Sequence, residues 1–161
     1  MFDVVMSERV FQHLSDPGGA LVEMVRVCRP GGAVLVADTD WGTLAIDVED
    51  EGVARIAEKI LKTLKHSVRN GESGRQLRRL AKRSGGLIDV EPEVLPTCHC
   101  SYEELRRVAC FLDVERSAVE AGVTTVEEIQ KLRHYLERAD ASGELFAMSM
   151  SVVLTARKAS C

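Results

Sequence analysis

The chain has 161 residues, 45% of them hydrophobic, 29% charged and 4% aromatic, with a formal net charge of -4. That length suits one domain able to hide roughly 70% of its unfolded surface, and the composition excludes a disordered tail or a low-complexity segment. The acidic balance and scarce rings exclude the basic, base-stacking footprint of a nucleic-acid-binding domain.

The chain opens on a strand, Phe2 to Met6, almost wholly apolar as in a strand covered on both faces. Asp16-Pro17 starts a helix whose apolar stripe is Leu21, Val22, Met24, Val25 and Cys28, and Pro30-Gly31-Gly32 stops it in a turn. A second apolar strand, Ala33 to Ala37, ends at Asp38. Strand, helix and strand with tight connections predict a parallel pair with a right-handed crossover. Residues 51–69 form an amphipathic helix, Gln76 to Ser84 a short basic one, and Leu87 to Glu91 a third strand that exits at Pro92 and Pro96. Ser101-Tyr102-Glu103-Glu104 opens a helix carrying Leu105, Val108, Ala109 and Leu112 inward. Thr124-Thr125 with Glu127-Glu128 opens another, carrying Val126, Ile129, Leu132 and Leu136. A final strand runs from Glu144 to Arg157, and no linker divides the chain.

Met1 to Leu14 has no uninterrupted apolar stretch of signal-peptide type, and no run of about 18 apolar residues could span a membrane. Five cysteines without a secretory signal read as reduced thiols in a cytoplasmic protein.

Ligands of open α/β sheets sit outside the carboxyl ends of the strands. Those tips carry Ser7-Glu8-Arg9 and Asp38-Thr39-Asp40-Trp41, polar either because they form a site or because strand ends meet water. No GxGxxG or P-loop is present. Cys98-His99-Cys100 with Cys110 has donors that suit zinc but a spacing that does not, so the reading is a surface thiol pair, a small core residue at Cys110, and no metal. His66 and His134 sit among surface charges, while His13, between a strand end and a helix cap, either faces a site or packs. Arg75, Arg78, Arg79, Lys82 and Arg83 form a solvated helix face or a grip on an anionic substrate.

The segments Phe2 to Glu8, Val10 to Leu14, Asp16-Pro17, Arg26 to Gly32 and Asp38 to Thr43 together resemble class I S-adenosylmethionine-dependent methyltransferases of the type 11 kind. Arg69-Asn70-Gly71 and Gly74 to Leu77 are similar to the small-molecule members of that group. The resemblance implies an α/β fold, a partial Rossmann-like sheet equivalent to family strands 4-5-7-6 with the last strand antiparallel, within a single domain over 1–161. Helical insertions fall at about 51–84 and 101–140. It implies S-adenosylmethionine as cofactor, with Ser7, Glu8, Arg9 and His13 near its methionine part, and Asp38, Asp40, Trp41 and Arg75 lining a small-molecule substrate. The family's Gly-rich loop, which holds the donor, has no counterpart in this sequence. Methyl transfer depends on positioning an activated donor, so the chain by itself is expected to be an inactive or weak enzyme. The alternative is a non-catalytic module for oligomerisation or small-molecule binding. The first strand is then an apolar sheet edge, and such edges pair, which predicts a homodimer.

Overall fold

The computed structural model describes residues 1–160. Its strands are β1 (Phe2–Glu8), β2 (Cys28–Ile46), β3 (Leu87–His99) and β4 (Ala147–Lys158). Its helices are α1 (Pro17–Val27), α2 (Glu51–Ser67), α3 (Ser73–Ser84), α4 (Tyr102–Val108), α5 (Phe111–Glu120) and α6 (Val126–Ser142), with a 3-10 turn at Phe11–His13. The sheet order is β1-β2-β4-β3, with β1 and β2 parallel and the other pairings antiparallel. The parallel βαβ unit and the order expected from the resemblance are both present. No described helix is long and apolar enough to cross a membrane.

The chain divides into two compact units, 1–40 with 69–95 and 150–161, and 41–68 with 96–149. The first has a core of Phe11, Leu21, Val34, Val36, Leu77 and Leu154. Asp16 accepts a hydrogen bond from the Gly19 N–H at 2.8 Å, so α1 begins where the Asp-Pro pair places it. β1 and β2 run in register from Val4 opposite Ala33 to Glu8 opposite Ala37. Pro30-Gly31-Gly32 is an irregularity inside β2 rather than a turn before it. Gly31 has φ +72°, and a Cβ on Gly32 would lie 2.6 Å from the Cys28 sulfur and 2.8 Å from the Asp3 carbonyl oxygen. Those two positions therefore need glycine for different reasons, one a dihedral and one a close approach.

The second unit has a core that includes Trp41, Ile60, Leu105, Phe111, Leu132 and Leu136. Asp50 caps α2 through the Val53 N–H, and Thr125 and Glu128 form a reciprocal capping box on α6. Lys59 on α2 donates to both carboxylate oxygens of Glu128 at 2.9 Å. Arg133 on α6 closes on the buried carboxylate of Glu115 on α5.

Several sequence expectations need correction. β3 does not exit at Pro92 or Pro96 but continues to His99. It stands last in the sheet order, where a residue without an N–H is tolerated. The helix opened by Ser101 breaks after Val108 because Cys110 takes a left-handed conformation (φ 50°) at the start of α5. That break leaves Cys110 and Leu112 exposed rather than buried. Val22 and Val126 are likewise exposed, each at the margin of its helix's apolar stripe.

Candidate functional site

The first unit brings most of the predicted site residues to the carboxyl ends of β1 and β2. Strand alternation decides which way they point. Val34 and Val36 are buried on one face, and Asp38 and Asp40 continue that alternation beyond them. Both carboxylates are buried, so each must be matched by donors.

Asp38 finds its donors in the backbone. One oxygen accepts the Gln12 N–H at 2.9 Å and the other the Thr39 N–H at 3.0 Å. Burial pushes its carboxyl above the usual range, and these hydrogen bonds oppose the shift. Asp40 finds an arginine: Nη2 of Arg75 donates to one oxygen at 2.8 Å, while Nε and the Arg75 N–H donate to the other. Arg75 also reaches Glu72 at 2.9 Å, and the Asp40 bond raises the guanidinium pKa further. The start of α3 can come this close because residue 74 is glycine. A Cβ there would meet Asp40 Cβ at 3.1 Å and the Asp38 carbonyl oxygen at 3.2 Å.

These contacts hold the loop after β1. The Asn70 side-chain amide donates to the carbonyls of Phe11 at 3.1 Å and Leu14 at 2.7 Å, and its N–H donates to Gln12 O at 2.9 Å. Arg9 leaves β1 in a left-handed conformation, φ 54°. Its N–H donates to Ala37 O at 2.9 Å, and its carbonyl accepts from the Gln12 amide at 3.2 Å. A non-glycine residue there is uncommon and costs of order 1 kcal/mol, a strain that surrounding structure must hold.

Ser7 is half-buried at the end of β1, and Glu8, Arg9 and His13 are exposed around this loop. Asp38, Asp40 and Arg75 lie beneath and beside it, committed to holding it in place. Trp41 belongs to the second unit, where it is buried in the core. Gln12 and Asn70, the two further clamps, were not singled out from sequence. Asn70 beside Gly71 reads as turn chemistry, and an amide that reaches back 56 and 59 positions has no local signature.

Elsewhere, Cys98 and Cys100 are exposed and His99 between them is buried, as alternation on β3 requires. His99 Nε2 lies 3.1 Å from Ser149 Oγ. Among the described residues no group of three histidines, cysteines or carboxylates could hold a metal ion. Arg78, Arg79, Lys82 and Arg83 are exposed on α3.

Comparison with known proteins adds a family. Residues 1–36 match the methyltransferase domain family. An uncharacterised 37.1 kDa protein of a Streptomyces fradiae transposon is 34% identical over 163 residues, covering 96% of this chain and 43% of that protein. An uncharacterised methyltransferase of Schizosaccharomyces pombe is 49% identical over 139 residues, covering 86% of this chain and 44% of its own length. The chain thus spans less than half the length of these curated relatives. Among solved structures, a candidate methyltransferase from Bacillus halodurans has TM-score 0.54 at 16% identity, and the YcgJ protein of Bacillus subtilis 0.56 at 14%. Each comparison covers 99% of this chain and 65% of the other, and at these identities they speak to the fold.

Proposed function

This chain is class I, S-adenosylmethionine-dependent methyltransferase-like in sequence and fold, and on that premise we propose that it takes part in methyl transfer to a small molecule. The observation that carries the reading is the Arg9 loop. A left-handed, non-glycine residue is held at the end of a parallel strand by two elements of the same unit. Strain of that kind is kept where a side chain must be presented.

S-adenosylmethionine, when bound, supplies a methyl group activated by its positive sulfur. The residues present match one end of it. Glu8 offers a carboxylate for an ammonium group and Arg9 a guanidinium for a carboxylate, a pair complementary to an amino-acid zwitterion. His13 adds a further donor or acceptor beside them, and Ser7 a hydroxyl. None of the four suits adenine, so the grip of this chain by itself is weak. Asp38, Asp40 and Arg75 act as positioning residues, since their charged groups are engaged in holding the loop.

Calorimetric titration with S-adenosylhomocysteine tests this reading. The expected result is a dissociation constant in the high micromolar to millimolar range, about −4 to −6 kcal/mol. It should weaken about tenfold in Arg9→Ala, as loss of one charge-assisted hydrogen bond predicts. Absence of heat at millimolar ligand overturns it. The second reading, a non-catalytic module for association or binding, is favoured by one feature, the exposed apolar side of β1.

A further inference from the structure

β1 stands at the end of the sheet order, with β2 as its only neighbour among the described residues. Its side chains divide by parity. Val5 packs against the core of the first unit, while Phe2, Val4 and Met6 on the opposite side are 62%, 56% and 68% exposed. Three large apolar side chains in a row on an unpaired edge form a ready template for another strand. The usual protections are missing: the strand has no lysine and no proline, and Asp3 is already neutralised by Arg29. The three side chains together expose roughly 300 Å², a size at which a surface patch is often functional.

We infer that β1 is a self-association edge, pairing antiparallel with β1 of a second copy about a two-fold axis through Val4. The edge is complementary to itself in that register. Phe2 falls opposite Met6 of the second copy, Val4 opposite Val4, and Asp3 opposite Val5, so no like charges meet. Parallel addition would repeat head to tail and grow without closing, whereas the two-fold closes after one step. The stripe bears no charge that a polar partner could read, which points to an occupant as apolar as the stripe itself. With the strand backbone included, the pairing buries roughly 1,000 Å² in total, the low end for a specific interface, so the dimer is a reversible one of micromolar strength.

Sedimentation velocity on the full chain, from about 1 μM to about 1 mM, provides the test. The expected result is a monomer–dimer equilibrium, with Val4→Lys shifting the dissociation constant upward by at least about 30-fold at unchanged circular dichroism. Cross-linking then reads the register, with Cys98, Cys100, Cys110 and Cys161 replaced by serine. Val4→Cys should give a disulfide-linked dimer. Phe2→Cys should not, because its mate lies about 13 Å away, beyond disulfide reach. A monomer throughout, open-ended growth, a dimer indifferent to Val4→Lys, or equal cross-linking at positions 2 and 4 each overturns the inference.

Discussion

At the scale of single residues, Arg75 shows how one helix face can carry two kinds of charge. The exposed run on α3 reads as uniform in sequence, yet Arg75 alone is drawn onto the buried carboxylate of Asp40. Removing it strands a charge in a buried place. The guanidinium itself is half exposed, so water recovers part of that cost. Arg75→Ala should lower stability by about 2 kcal/mol, while Arg78→Ala should stay within about 0.5 kcal/mol, as surface changes do. Urea denaturation of the pair checks this, and equal effects would remove the distinction. Asp38 carries the same lesson. It was expected to line a substrate, and its carboxylate is occupied by the backbone N–H groups of Gln12 and Thr39. Its acidic character was legible from the sequence, but which donors would meet it was not.

At the scale of elements, the close approach of α3 to the end of β2 rests on Gly74. A valine there meets backbone on two sides, at 3.2 Å from both Asp38 O and Asp40 N, and backbone cannot step aside as a side chain can. Gly74→Val should displace α3, break the Asp40–Arg75 pair, and cost about 2–3 kcal/mol as overpacking does. A thermal melt measures the loss, and a variant as stable as the parent would show that α3 can shift freely. The element boundaries that sequence captured are those set by local chemistry, such as the Asp16 cap and the Thr125 box. The ones it missed depend on neighbours. β3 runs through two prolines because of its place in the sheet, and α4 gives way to α5 at a single left-handed cysteine.

At the scale of the whole molecule, pH sets limits on stability from two groups of the second unit. Hydrogen bonds from Lys59 and Thr124 hold Glu128 down at about 2. Its folded value lies below the unfolded one, so its contribution is present above about pH 4.5 and is lost as pH falls through about 2. Burial pushes the Tyr102 phenol up to about 12. Here the folded value lies above the unfolded one, so the contribution is complete below pH 10 and is lost as pH rises through about 12. Melting temperature should therefore fall off at both extremes, and Tyr102→Phe should flatten the alkaline limb alone. An unchanged alkaline limb in that variant would assign it to other groups.

Apolar runs, caps and glycines, read in order, were enough to establish the parallel β1–α1–β2 unit, the sheet order through its family resemblance, and the apolar character of β1. These features follow from short-range chemistry, in which each residue's propensity and its near neighbours decide the outcome. Tertiary structure alone decided that Asp38 and Asp40 turn inward as clamps, that Asn70 holds a loop far from it in the chain, and that Trp41 belongs to the core of the second unit. The physical reason is that a buried polar group takes whichever donor the fold brings to it. Which donor arrives is settled by packing between segments that are distant in sequence.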